Sequence, residues 1–278
     1  MSTGYDKSLR PEPIAVHDPS RAHCGRIHDY LLGAGKDSYA VDREVGKRLV
    51  RDCTVFQQSA RAARLFLVRA VHHLAAECGI GQFVELGSGY PCPPNLHEVA
   101  RRRVPATRTL YVDNDSVIAA HGQALLADEQ NVFVHADLTD TDTIVRAITA
   151  TMNVAEPVAV CLGFVAEFIA DPRGVVEAVS ASLPAGSYAI LSHVTSDVNA
   201  DEVERAAKIY RDCGIEFRPR QRDEIAEILS CCELVDPGLV ASHDWRPAPE
   251  MDRLLADSLR WDPASTGESC LAAVGRVR

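Results

Sequence analysis

The chain has 278 residues with 29 basic and 39 acidic side chains, a formal charge of −10. A chain this acidic is repelled by a phosphate backbone unless its basic residues cluster, so nucleic acid is a disfavoured partner. A hydrophobic share of 46% with 24% charged residues supplies a core without a disulfide or metal staple, and no apolar run of about 18 residues offers a membrane span.

Residues 1–17 read as a loose arm, charged and proline-containing, with no apolar stretch of signal-peptide type. Asp18-Pro19-Ser20 predicts a turn and N-cap opening a helix that carries Ile27, Tyr30 and Leu31 at i, i+3, i+4 and ends at Gly33 and Gly35. Val41, Val45 and Leu49 mark a second helix. A third and longer one carries Ala63, Phe66, Leu67, Ala70, Val71 and Leu74 and closes at Gly79 as a left-handed C-terminal glycine.

After Gly79 the rhythm changes. Strand-like runs at 82–86, 109–112, 132–134, 158–162 and 188–191 alternate with helical patterns. The helices are marked by Leu96/Val99/Ala100, Val117/Ala120/Ala124, Ile144/Val145/Ile148 and Val175/Val176/Val179/Leu183, and the basic run Arg101-Arg102-Arg103 reads as a solvated helix end. Alternating strands and helices with both strand faces apolar predict a parallel sheet covered on each side. Helices around Val203/Ala206/Tyr210 and Ile225/Ile228/Leu229 follow, then strand candidates at 233–236 and 270–277. A long proline-containing stretch, 237–263, separates these two. The expectation is one α/β domain over 54–278 with an arm and helical cap over 1–53. Nine irregularly spaced cysteines without a C-x-x-C suit a reducing cytoplasm.

The first motif is Glu85-Leu86-Gly87-Ser88-Gly89-Tyr90-Pro91, at the end of the first strand. Glycines there let backbone N–H groups approach a ligand, and the following helix is expected to point its positive end at the same place. A dinucleotide fingerprint would need Gly or Ala where Cys92 stands, which weakens a nicotinamide-dependent oxidoreductase. Glu85, a carboxylate in an apolar strand, needs a partner, and a cationic ligand amine could supply one. Asp113 in Tyr111-Val112-Asp113-Asn114-Asp115 closes the second strand, where an acid can accept from ribose hydroxyls. Asp137 in His135-Ala136-Asp137-Leu138 closes the third, where one can take an adenine amino group. Each Asp alone reads equally well as a turn or cap residue. Three acids at three successive strand ends point to a nucleoside ligand.

The ordered string Asp29-Tyr30-Leu31-Leu32-Gly33, Gly35-Lys36-Asp37, Asp42-Arg43-Glu44, the Glu85–Pro91 motif, Pro94-Asn95, His97-Glu98-Val99-Ala100 and Tyr111–Asp115 resembles the actinobacterial S-adenosylmethionine-dependent methyltransferases. The resemblance continues through Ala136-Asp137-Leu138, Ser187-Tyr188, Leu191-Ser192-His193 and Pro237-Gly238-Leu239-Val240. It implies a Rossmann-like seven-stranded sheet, mostly parallel with the last strand antiparallel. It also implies S-adenosylmethionine as cofactor, with Glu85, Gly87 and Gly89 around the methionine part, Asp113 at the ribose and Asp137 at the adenine; Ser88, Asn114 and Leu138 are counted with them as cofactor-binding residues. Tyr30 and Lys36 read either as residues that close the cap over the cofactor or, equally well, as a helix-packing ring and a solvated loop lysine. Two departures fall near the acceptor side: Ala34 lengthens the glycine segment, and Glu167 stands where the family usually has a histidine.

Methyl transfer by direct displacement needs no metal and depends on alignment of acceptor, methyl and sulfur. Glu167 and His193, just past the fourth and fifth strands, are the candidate bases for an unidentified acceptor. The alternative is a non-catalytic sensor of S-adenosylmethionine or S-adenosylhomocysteine. The sequence sets no oligomeric state.

Overall fold

A computed structural model describes residues 18–33, 35–36, 38–259 and 268–278. Three helices come first, α1 (Cys24–Leu32), α2 (Ala40–Asp52) and α3 (Thr54–Glu77). Then follow β1 (Gln82–Leu86), α4 (Leu96–Arg101), β2 (Arg108–Asp113), α5 (Ser116–Leu125), β3 (Asn131–His135), α6 (Thr141–Thr151), β4 (Ala159–Gly163), α7 (Pro172–Ala181) and β5 (Tyr188–Val194). The last third holds α8 (Ala200–Asp212), α9 (Arg222–Ile228), β6 (Cys232–Leu234), β7 (Val240–Ala241), α10 (Pro249–Leu259) and β8 (Cys270–Val277).

The sheet runs β3-β2-β1-β4-β5-β8-β6, with β7 beside β8 off that path. β1 to β5 pair in parallel, and β8 lies antiparallel to β5, β6 and β7. The expected seven-stranded sheet with one reversed strand is present, with the two-residue β7 added.

Side-chain alternation sorts the strands' residues into two cores. Val84, Leu86, Val160, Leu162, Ala189, Leu191 and Ala273 pack with α6, α7 and α9 on one face. Phe83, Ala159, Cys161, Ile190 and Val274 pack with α3, α4 and α10 on the other. Glu85 shares the parity of Phe83 and therefore faces α3. A third core joins the cap to the domain, with Ile27, Leu31, Val45 and Leu49 against Phe56, Ala60, Phe164, Val203 and Tyr210. No helix among the described residues is long and apolar enough to cross a membrane.

One expectation needs correction. The first helix starts at Cys24 with His23 as N-cap, because Asp18 turns back on Ser20 instead, its Oδ1 accepting the Ser20 N–H at 2.9 Å. The proline-containing stretch holds β7, a 3-10 turn (Ser242–Asp244) and α10. Pro249 occupies the first position of α10, where its missing N–H costs nothing. Arg69, buried in α3, clasps both oxygens of Asp252 at 2.6 Å and fixes α10 in place. Gly79 closes α3 as expected, at φ 67°, and the Ile80 N–H returns to Leu74 O at 3.0 Å. The arm, Ala34, Asp37 and Pro263 lie outside the described residues.

Candidate functional site

The carboxyl ends of β1 to β4 open into a cleft that is also lined by α1 and α3. Glu85, Gly87, Ser88, Gly89, Asp113, Asn114, Asp137 and Leu138 all line it. In an open parallel sheet this is the crevice where ligands bind.

Glu85 is 6% exposed, and its partner is Arg64 of α3, Nη1 to Oε1 at 3.1 Å. The expected partner was a ligand amine; the structure supplies an internal cation. Arg64 Nη2 also donates to Cys92 O at 2.7 Å and Pro94 O at 2.9 Å, while its buried Nε has no partner among the described residues. Burial pushes the Glu85 carboxyl up to about 7 despite the guanidinium beside it.

The glycine turn is built differently from the expectation. Gly87 and Ser88 donate their N–H groups to Val112 O at 2.8 and 3.0 Å, and Gly89 donates to Asp113 Oδ2 at 2.9 Å. These amides therefore clamp β1 to β2. Gly87 is required by φ 69° and by Val165, whose Cγ2 lies 2.3 Å from where a Cβ would stand; Gly89, at φ 64°, faces open space. The helix that follows begins only at Leu96. The first turn of α4 places Asn95, His97 and Glu98 on a second, neighbouring cleft, so its positive end does not serve the first.

Asp113 is 4% exposed and also accepts the Asp115 N–H on Oδ1 at 3.0 Å; burial raises its carboxyl above the ordinary range. Each oxygen keeps a lone pair beyond these two amides. Asp137 is exposed. Its Oδ1 accepts from Thr139 N–H and Oγ1 at 2.8 and 2.7 Å, and Asn114 Nδ2 reaches Oδ2 at 3.4 Å. Burial works against its charged form, but the Thr139 and Asn114 hydrogen bonds outweigh it and hold the carboxyl below the usual range. Asn114 Oδ1 in turn lies 3.2 Å from His23 Nε2, tying the β2 end to the cap.

Four expected site residues are placed elsewhere. The Tyr30 ring lines neither cleft; it packs over Gly46, where an added Cβ would lie 2.3 Å from it. Lys36 is exposed and borders the second cleft. Glu167 and His193 are fully buried and line neither. Glu167 turns inward on a 3-10 turn (Ala166–Phe168), where its Oε1 accepts the Val194 N–H at 2.6 Å. His193 contacts Val194 O through Nδ1 at 2.7 Å and Arg220 Nη1 through Nε2 at 2.8 Å. Burial raises Glu167 to about 7, and burial with Arg220 lowers His193 to about 3 despite the Val194 contact. Both are interior groups that brace the β5 end, so neither is placed to act as a base on a substrate.

Sequence reasoning missed the cleft residues contributed by helices. Arg64 interrupts the apolar row Ala60, Leu67, Val71, Leu74, a signal that a buried charge needs a partner. Cys24, Gly25, His28, Asp29 and Leu32 share one face of α1, and all line the cleft. Arg26 points the other way and ties the cap down, pairing with Asp42 at 2.8 Å and with Asp115.

A family described as S-adenosyl methyltransferase matches residues 12–277. A DUF574 family protein from Streptomyces avermitilis is 35% identical, with a TM-score of 0.83 over 94% of this chain and 99% of that one. A candidate methyltransferase from Thermobifida fusca is 30% identical, with a TM-score of 0.82 over 93% and 96%. The plantazolicin methyltransferase BpumL, solved with a triazolic desmethylPZN analog and SAH, is 11% identical, with a TM-score of 0.53 over 91% and 96%, a likeness of fold alone. No curated protein matches the sequence.

Proposed function

The chain belongs to the S-adenosyl methyltransferase family, and on that premise we propose that the β1–β4 cleft is where it holds its cofactor, S-adenosylmethionine. The observation that carries this reading is the placement of Glu85, Asp113 and Asp137 at the ends of three adjacent strands around one cleft.

The donor set suits a zwitterion joined to a nucleoside. Glu85 would accept from an ammonium, whose arrival favours the charged carboxylate that burial opposes. The buried Arg64 Nε, unpartnered among the described residues, would donate to a carboxylate. Asp113 would accept ribose hydroxyls on its remaining lone pairs, with Asn114 beside it, and Asp137 would take the adenine amino group while Leu138 covers the ring. Gly87 and Ser88 shape the turn, and Gly89 leaves its side open. When bound, the sulfonium supplies an electrophilic methyl group. The residues of this chain hold it in line with an acceptor and keep water away, which is the main source of rate in a displacement of this kind. Residues 1–53 are assigned as arm and cap, 54–278 as the methyltransferase domain.

Isothermal titration of the purified protein with S-adenosylmethionine and, separately, S-adenosylhomocysteine tests this. Micromolar or tighter binding of both is expected. A folded protein that binds neither refutes the assignment.

A further inference from the structure

Part of the cleft lining is aromatic and aliphatic: His28 and Leu32 from α1, Ala63 and Leu67 from α3, and Phe164 and Phe168 after β4, with Asp29 and Arg64 as their charged neighbours on the two helices. The imidazole of His28 lies against the Phe164 ring, centroids 5.0 Å apart and tilted by 32°. Phe164 stands at φ 55°, a left-handed backbone that a bulky residue adopts only when its surroundings hold it there. Its N–H donates to Ser192 Oγ at 3.0 Å, and Phe56 braces its ring edge-on at 5.4 Å. Phe168 is backed by Tyr210 and Phe217 at 5.4 and 5.3 Å. Two aromatic rings are thus held rigidly at the cleft, one of them at a conformational cost.

Apart from Asp29 and Arg64, His28 brings the one side chain in this group able to hydrogen-bond. Its Nδ1 is buried and has no partner among the described residues. Burial, with Arg64 nearby, lowers the imidazole to about 4, so it is neutral at physiological pH, and in the tautomer with its proton on Nε2 the Nδ1 is an acceptor. Buried acceptors are normally satisfied, so a missing donor points to a ligand that brings one.

We propose that the methyl acceptor is a small, flat, uncharged molecule bearing a hydroxyl group, seated against Phe164 and Phe168 with that hydroxyl on His28 Nδ1. The proposal rests on the cleft being the cofactor site. The hydroxyl oxygen uses a lone pair to form the new bond to the methyl carbon, and the carbon–sulfur bond breaks with its electron pair left on sulfur. The hydroxyl proton passes to Nδ1. The products are a methyl ether, a neutral thioether and an imidazolium that returns its proton to solvent. A weak base suffices, because the oxygen's proton becomes strongly acidic as the new bond forms.

The test uses the S-adenosylhomocysteine-loaded protein with 1-naphthol and naphthalene as probes, read by saturation-transfer NMR and fluorescence titration. 1-Naphthol should bind about tenfold or more tighter than naphthalene, and ¹⁵N-histidine spectra should show the His28 Nδ1 resonance moving only with 1-naphthol. His28→Phe should keep the affinity for naphthalene and for S-adenosylhomocysteine while abolishing the preference for 1-naphthol. Equal binding of the two probes to the wild-type protein, or a preference that survives in His28→Phe, overturns the proposal while leaving the cofactor site standing. Failure of S-adenosylhomocysteine itself to bind removes the cofactor reading and this proposal together.

Discussion

Asp113→Ala separates the structural and ligand roles of one carboxylate. In the folded protein Asp113 holds two backbone amides, Gly89 N–H at 2.9 Å and Asp115 N–H at 3.0 Å, in a setting that is 4% exposed. Leaving a buried amide unpaired costs about 1–3 kcal/mol, so two such losses set the scale at about 2–6 kcal/mol. Removing a carboxylate whose charge burial already opposes offsets part of this, which places the expected destabilisation near the lower end, about 2–4 kcal/mol. Against a total of about 5–15 kcal/mol for a domain, the variant should still fold in the cold. Affinity should fall by a further, separable amount: losing charge-assisted bonds to ribose hydroxyls costs about 1.5–3 kcal/mol, or about 10- to 150-fold in Kd. Urea unfolding reads the first effect, and calorimetric titration with S-adenosylhomocysteine at a temperature where circular dichroism shows native structure reads the second. A folded Asp113→Ala protein with wild-type affinity refutes the ribose assignment. An unchanged unfolding free energy refutes the clamp between the glycine turn and β2.

Arg64→Leu should cost about 3–5 kcal/mol of stability in urea unfolding, because Glu85 is left buried and unpaired, and adding Glu85→Gln should recover part of the loss; strict additivity would show that the pair is not coupled. Gly87→Ala should destabilise more than Gly89→Ala, since the first meets Val165 and the second meets no protein atom within 4 Å, each also carrying about 1–2 kcal/mol of left-handed strain. Gly89→Ala should instead weaken S-adenosylhomocysteine binding, and calorimetry on both variants checks the contrast. Glu167 is raised by burial from 4.5 to about 7, so between those values the folded protein keeps a proton the unfolded chain has released. Its contribution to stability is therefore full below pH 4.5 and is lost as pH rises through 7. Relative to wild type, Glu167→Gln should gain about 1–3 kcal/mol between about pH 5 and pH 8 in urea titrations and keep its cofactor affinity; a pH-independent difference would contradict this.

The strands were legible where burial on both faces makes them near-continuous apolar runs: β1 and β8 lie at the expected residues, β4 is shifted by one, and β2, β3 and β5 are longer than read by two or three. The three acids were legible because strand ends converge in any sheet of this kind. What the helices add was not, since a helix face depends on where the helix lands. His28 reads as a polar neighbour of Ile27 until α1 is laid over β4. The N-cap His23 is chosen by a residue of another helix, its N–H donating to Asp42 Oδ1 at 2.9 Å. Glu167 and His193 were placed by chain position at the acceptor side, but a single 3-10 turn rotates Glu167 inward, where it captures the β5 backbone. In α10 the prolines on either side masked Met251 and Leu255, an i, i+4 pair that is fully buried.

The place of β8 constrains the order in which this protein can be finished. Among the described residues β6 and β7 pair with no strand but β8, and β8 also covers the outer edge of β5. During synthesis, therefore, the half of the sheet from β3 to β5 can assemble while Tyr188–Val194 still presents an unpaired apolar edge, the kind of surface that invites wrong partners. Residues 270–277 close that edge and provide the pairing surface for β6 and β7, so the β5 edge is covered only once β8 has docked.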